Sequence, residues 1–485
     1  MRPVDLSLSD TSLLAQCASE THDNVAGARF TVVNPATGAI VAKVPEFDVA
    51  RVREAIDAAY QAQPEWASKT AEERGAALLR WSRSMRDNVD DLSIILTSEM
   101  GKPLAEARAE IAYAASYIEW FAEEGKRIYG DIIPAHDRSK RILVLKQPVG
   151  VAALITPWNF PSAMLARKAG PALAAGCSIV ARPSELTPLS ALAMAVLAER
   201  AGIPANVFQL VPSTDAAGIG AEFCTNRKIR KLSFTGSTRI GALLMRQAAG
   251  DIKRLSLELG GNAPFVVFDD ADLDKAVEGA LLAKFRNAGQ TCVCANRIYV
   301  QRGIYDAFAE RLTRAVADLR VGDGMSADVR IGPLISQRAV QKVEEHIQDA
   351  VGHGAAVRVG GGRHALGGLF FEPTVLTGVS HEMRIAREET FGPVAPLFVF
   401  DTVEEVIDRA NDTDYGLAAY FYSRDLGRVW KVAEALEFGM VGINTAAIST
   451  AQAPFGGVKH SGLGREGSKY GINDYLELKY LCLEP

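Results

Sequence analysis

The chain contains no uninterrupted apolar run near the roughly 20 residues that a bilayer-spanning helix requires, so no segment reads as a membrane span. It also lacks a basic excess. Its 53 Lys and Arg stand against 58 Asp and Glu, a net charge of -5, which gives no electrostatic reason to hold nucleic acid or an anionic membrane. Six cysteines in 485 residues, unevenly spaced, do not make a disulfide framework. Cys292 and Cys294 have no nearby second Cys or His pair to complete a tetrahedral site, so no metal is expected. The seven histidines form no cluster with a carboxylate pair and are expected at the surface or in packing. The start, Met1-Arg2-Pro3-Val4-Asp5, is without the basic, apolar and small-residue order of a secretory signal. A reducing, cytoplasmic setting is the expectation.

What is present is the ordinary mix of a folded protein, 48% hydrophobic and 23% charged. The length is too great for one core, and two or three domains are expected. Residues Thr70 to Gly101 read as one long amphipathic helix, opened by a Thr70/Glu73 capping box and stopped by Gly101 and Pro103. A second helix is expected over Leu104 to Gly125. From Val149 to Gly260 short β-rich runs (Val149–Ile155, Ser178–Ala181, Val207–Val211, Lys231–Phe234, Arg254–Leu257) alternate with helical stretches, the rhythm of βαβ crossovers on a parallel, Rossmann-like sheet. A second α/β region follows Gly261, with strands expected at Phe265–Phe268, Arg297–Val300, Val394–Phe400 and Met440–Ile443. Two isolated extended segments, Arg141–Lys146 and Glu477–Cys482, fall outside both patterns and suit an arm that adds strands to a neighbouring subunit.

Candidate site residues cluster after the predicted strands. Cys292 lies in Asn287-Ala288-Gly289-Gln290-Thr291-Cys292, a polar, turn-forming setting that fits a small buried hydrophobe less well than those of Cys17, Cys177, Cys224 and Cys482. A nucleophile and a packing thiol both remain open readings for it. Glu258, at the end of a strand before Gly260-Gly261, is a candidate base, with a surface ion pair as its rival. Asn159, between Pro157 and Pro161, is either an oxyanion donor or a turn-former. The run Phe234-Thr235-Gly236-Ser237-Thr238 turns from strand into helix and suits a pyrophosphate at the helix N-terminus, although the GxGxxG fingerprint is absent. In Arg182-Pro183-Ser184-Glu185 the carboxylate either accepts from ribose hydroxyls or sits in the first turn of a helix capped by Ser184.

These motifs, with Thr156–Pro161, Leu257–Gly261, Glu389-Thr390-Phe391-Gly392-Pro393 and Pro454-Phe455-Gly456-Gly457, occur in the order seen in the NAD(P)-dependent aldehyde dehydrogenase superfamily. From about Val33 to the C-terminus the chain resembles that superfamily. Lys284–Asn287, the Cys292/Cys294 pair and Ser461–Gly471 are most similar to the succinate-semialdehyde dehydrogenases. The resemblance implies an aldehyde dehydrogenase-like α/β fold: a discontinuous Rossmann-like cofactor domain (1–125 and 147–258), a catalytic domain (259–455) and a small bridging β arm (126–146 and 456–485) in a homodimer or homotetramer. It implies Cys292 as nucleophile, Glu258 as base, and Asn159 as oxyanion donor. Thr156, Trp158, Arg182, Ser184, Glu185, Gly236 and Ser237 would line the dinucleotide path, with Glu389 on the nicotinamide ribose and Phe391 beside it.

Arg167, Arg286 and Ser449 match family positions for holding a substrate carboxylate, for which a forked guanidinium is well shaped. Succinic semialdehyde is the expected substrate, with glutarate semialdehyde or another carboxylated aldehyde as the near alternative. A broad-range enzyme would have an apolar tunnel, against which the two arginines speak. A CoA-acylating enzyme would not need Glu258, and a non-enzymatic relative would have lost nucleophile or base. NAD is the expected cofactor, with NADP open because Arg182 stands where the family often has lysine. Cys294 is a possible redox partner of Cys292 or a residue packed behind its loop.

Overall fold

The computed structural model describes residues 6–15 and 28–484; Cys17 lies outside them. Two sheets organise the chain, each parallel but for one antiparallel edge strand, Gly462–Leu463 in the first and Ala356–Val359 in the second. The first has six strands, in the order Gly462–Leu463, Arg254–Glu258, Ile229–Thr235, Val151–Ile155, Ser178–Arg182, Phe208–Leu210. All neighbours run parallel except the two-residue edge Gly462–Leu463, which pairs antiparallel with Leu257 and Glu258. The central strands Val151–Ile155 and Ser178–Arg182 are buried along their whole length, as expected where helices cover both faces of a parallel sheet. One apolar core packs the helices Ala71–Asp87, Leu104–Glu124 and Pro161–Ala175 against one face; a second core, including Ile56 and Phe223, covers the other.

The second sheet has seven strands, in the order Ala356–Val359, Thr374–Thr377, Val394–Phe400, Ala295–Gln301, Ala263–Val267, Ala418–Tyr422, Met440–Ile443. The four strands expected from sequence are joined by three that were not: Ala356–Val359, Thr374–Thr377 and Ala418–Tyr422. A third, three-stranded sheet pairs Leu476–Leu483 and Asp131–Ile133 antiparallel with Arg141–Pro148. It leaves Ile132 at 86%, Leu478 at 71% and Tyr480 at 59% exposure. Cys482 is exposed on this sheet rather than packed, whereas Cys177 and Cys224 are buried.

The long helix expected over 70–101 is two helices, Ala71–Asp87 and Val89–Met100. The capping box at Thr70 and Glu73 forms as expected. The break falls at Asn88, whose side-chain amide donates to the Ser84 carbonyl at 2.8 Å, the local competition that makes asparagine a poor interior helix residue. Among the described residues no helix is long and apolar enough to cross a membrane.

Candidate active site

The strands of the first sheet deliver their C-terminal ends to one side: Ile155 lies opposite Arg182 and Phe234, and Thr235 lies opposite Glu258. The crevice beyond the carboxyl ends of such strands is where open α/β sheets hold ligands. A cleft of about 400 Å³ opens there, walled by Trp158, Asn159, Gly236, Ser237, Lys342, Glu389, Phe391 and Cys292. Trp158 and Phe391 meet edge to face, their centroids 5.5 Å apart. Phe391 holds φ at +55°, which turns its ring out of the loop. Glu389 accepts from the Gly261 N–H at 3.3 Å, and burial raises its carboxyl to about 7.

Four residues expected on the same path lie beside it or behind it. Thr156 is buried, its N–H donating to the Arg182 carbonyl at 3.2 Å. Arg182 ion-pairs with Glu185 at 2.8 Å and donates to the Ser213 carbonyl at 2.9 Å. Ser184 accepts from the Leu186 N–H at 3.3 Å, closing a local turn; the following helix starts only at Leu189, so Ser184 does not cap it. Glu185 lines an adjoining cavity that shares Leu186 and Ile335 with the cleft.

A second cavity, of about 250 Å³, meets the first at Met164 and Cys292 and is walled by Arg167, Arg286, Ser449, Phe160 and Phe455, among others. The two arginines differ. Arg167 is buried and ion-paired with Glu466 at 2.6 Å, and its guanidinium lies 3.7 Å over the Phe455 ring. Arg286 lies over the Phe160 ring at 5.1 Å and pairs with no carboxylate among the described residues. It makes no ion pair among them, although its charge acts on Glu106, which lines the same cavity.

The loop into Cys292 is unusually bent. Asn287, Ala288 and Gly289 have φ of +53°, +54° and +75° in succession, a left-handed run that L-residues adopt at a cost. Side at Gly289 is closed as well, because a Cβ there would stand 2.2 Å from the Gly392 carbonyl oxygen. Hydrogen bonds hold the bend: Asn287 Nδ2 donates to the Asn159 carbonyl at 3.0 Å, and Gln290 Oε1 accepts from the Ile335 N–H at 2.9 Å. Asn159 Nδ2 donates to the Gln290 carbonyl at 3.0 Å. A primary amide carries two N–H hydrogens, so this bond uses one of them.

Burial dominates the electrostatics. It pushes the Cys292 thiol up to about 12, with Arg167 and Arg286 pulling down and Glu389 and Glu258 pushing up. That shift works against ionisation of the thiol, and the two guanidiniums work for it. Burial, then the charge of Glu466, raises Glu258 well above the carboxylate range, with Arg167 and Lys168 opposing. Burial also acts on Glu466, but the charges of Arg167 and Lys168 outweigh it and hold that carboxyl below its ordinary value. Glu258 is 3% exposed, which removes the surface ion pair as an explanation. It nevertheless stands in the wall of neither cavity, set behind Gly456; a Cβ on that residue would meet Glu258 Oε1 at 2.9 Å. Cys294 is buried behind the loop, its Sγ 3.4 Å from the Lys284 carbonyl, and both thiols are free.

Glu466 and Lys168 are the residues that sequence reasoning missed. Glu466 lies inside a stretch read only as a family signature, and Lys168 stands next to Arg167; nothing local marks them as an ion pair. Among the described residues no group of three or more His, Cys, Asp and Glu is placed to hold a metal ion.

A thiol at the meeting point of a strand-end cleft and a cavity lined by two arginines and two glutamates defines a site for covalent chemistry on a small polar molecule. The chain belongs to the aldehyde dehydrogenase family, whose model matches residues 22–481. It is 60% identical to a succinate-semialdehyde dehydrogenase [NADP(+)] of Escherichia coli (strain K12), over 99% of this chain and 100% of that one. It is 62% identical to a glutarate-semialdehyde dehydrogenase of Pseudomonas aeruginosa, over 94% of each. The crystal structure of succinate-semialdehyde dehydrogenase from Burkholderia pseudomallei superposes with a TM-score of 0.96 at 60% identity, covering 99% of this chain and 100% of that one.

Alkylation tests the protonation state of the resting thiol. For a thiol at about 12, the rate at Cys292 with iodoacetamide should climb close to tenfold per pH unit from pH 6 to 9, because the thiolate fraction does so. A plateau reached by pH 7 would show a resting thiolate instead.

Proposed function

We propose that the protein oxidises succinic semialdehyde to succinate with NAD(P). The observation that carries this reading is the guanidinium of Arg286, without an ion pair among the described residues, in the same cavity as Cys292. Arg167 adds a second donor: its Nε is buried without a partner, the kind of group that a bound carboxylate would satisfy. Ser449 supplies a hydroxyl in the same wall. The relatives named for succinate and glutarate semialdehydes act on molecules carrying both an aldehyde and a carboxylate, which fits one nucleophile and one cation in a single cavity.

The residues of the cleft suit a dinucleotide. Thr235 lines it with a buried hydroxyl that has no partner. The helix Thr238–Ala248 begins at Ser237 without a side-chain cap, leaving N–H groups for a phosphate. Glu389 would accept from ribose hydroxyls, and Trp158 and Phe391 would flank the nicotinamide. When bound, the nicotinamide supplies the hydride acceptor.

The chain's own residues do the rest. Cys292 gives its proton to solvent in the cleft, and its sulfur adds to the aldehyde carbon as the C=O π bond opens, giving a thiohemiacetal oxyanion. The second N–H of Asn159 and the Cys292 backbone N–H stabilise the oxyanion; removing one such donor typically costs about 3–4 kcal/mol. Loss of hydride leaves a thioester on Cys292, which water hydrolyses to the acid. Glu258 takes the proton from that water, reaching it by swinging past Gly456, where the missing Cβ leaves room.

The pairing of Glu185 with Arg182 favours NAD, since a carboxylate there repels a 2′-phosphate and occupies the one cation beside it. The three-part domain division belongs to the same proposal, as does a cytoplasmic setting. A second copy of the chain covers the exposed apolar residues of the three-stranded sheet, and Cys294 remains a redox candidate once freed from its contact with Lys284.

Three measurements check these points. Arg286→Ala should lower kcat/KM on succinic semialdehyde by about 10- to 100-fold, the worth of a charge-assisted hydrogen bond, and lower it by a smaller factor on an uncharged aldehyde of equal length, the part owed to its pull on the Cys292 thiol; equal losses on both would remove the clamp. Glu185→Gln should shift the NAD:NADP ratio of kcat/KM toward NADP, and an unchanged ratio would count against its role. Lysines at Leu478 and Tyr480 should give a smaller species by light scattering; an unchanged mass would place the interface elsewhere.

A further inference from the structure

The two halves of the proposed oxyanion hole come from different sheets, and one helix face ties them together. Glu106 and Glu110 are four residues apart on the helix Leu104–Glu124, which brings both carboxylates to the same side. Glu106 Oε2 accepts from the Asn287 N–H at 2.8 Å, at the first residue of the left-handed run that leads into Cys292. Glu110 Oε1 accepts from the Ser162 and Ala163 N–H groups at 3.0 and 3.1 Å, in the first turn of the helix that follows Asn159. Its other oxygen pairs with Lys102 Nζ at 2.6 Å, and that ammonium donates to the Asn159 carbonyl at 2.7 Å. Lys102 and Glu110 are both buried.

From this geometry we infer that Glu106 is a positioning residue for the reaction: with the Lys102–Glu110 pair it fixes the distance between the Asn159 amide and the Cys292 loop. The inference rests on the reading of Cys292 as nucleophile and Asn159 as oxyanion donor. A left-handed turn at two non-glycine residues does not hold itself: Asn159 and Ile335 tie Asn287 and Gln290, and Glu106 ties the backbone N–H at the start of the run. Glu106 also lines the substrate cavity with Arg286. A carboxyl group does not serve to hold an anionic substrate, and the geometric use the structure gives it is the hydrogen bond to the Asn287 N–H.

The test compares Glu106→Ala, Glu106→Asp and Glu106→Gln in the full-length enzyme, on succinic semialdehyde and on an uncharged aldehyde of equal length. Iodoacetamide alkylation of Cys292 is the control, because that displacement develops no oxyanion. Glu106→Ala and the shortened Glu106→Asp should each lower kcat by about 10- to 100-fold on both aldehydes, the effect of a misplacement near 1 Å. KM for succinic semialdehyde should not rise, and alkylation should stay within about threefold of the parent, since thiol access is retained. Glu106→Gln, whose amide oxygen still accepts from Asn287, should keep most of the activity. The proposal is overturned if kcat survives in Glu106→Ala and Glu106→Asp, if alkylation falls in step with kcat, or if Glu106→Gln is as poor as the others. Should Glu106→Ala not fold, Glu106→Asp alone decides. Activity in Cys292→Ser would sink the underlying reading instead, whatever the Glu106 variants do.

Discussion

Placement of Cys292 at the junction of two cavities, partly accessible yet largely surrounded by protein, is the constraint on which the site depends. Burial pushes its thiol up, toward about 12, and nearby positive charges favour the thiolate. The cations Arg167 and Arg286 work in that direction, and they act through a medium where charges are weakly screened. Burial also raises Glu258, whose side chain stands in the wall of neither cavity.

Glu466 divides the labour among the buried charges. By pairing with Arg167 and Lys168 it neutralises cations that would otherwise hold Glu258 ionised. It also leaves Arg286 as the cation available to an incoming anion. A buried pair of this kind adds little net stability; its effect lies in which protonation state and which guanidinium are presented to the cavity. The cofactor side shows the same economy, with Arg182 committed to Glu185 rather than exposed to the cleft.

Much of this was legible in the sequence. Alternating β-rich runs and helical stretches specified the parallel sheet, and turn chemistry marked Asn159, Gly236 and Ser237 beyond its strands and Cys292 in the loop before Ala295–Gln301 of the second sheet. The strand Ala418–Tyr422 was missed because Ala418 and Ala419 carry little β signal, although the strand is buried between two neighbours. The break at Asn88 was missed because the apolar spacing continues through it. Glu466, Lys168, Glu106 and Lys102 were missed for one reason: an acidic or basic residue on a helix or in a loop looks solvated until its distant partner is known. The raised Glu258 belongs to the same class, since part of its shift comes from the charge of Glu466, far off in sequence.

The central claim is that an aldehyde becomes an acyl group on one sulfur and that Glu258 is needed to release it. Mass spectrometry of Glu258→Gln, quenched during turnover with succinic semialdehyde and NAD, tests this most directly. The account predicts a succinyl adduct accumulating on the peptide that carries Cys292, well beyond the level in the parent enzyme. An unmodified Cys292 peptide in a variant that still reduces NAD at the parent rate would contradict it.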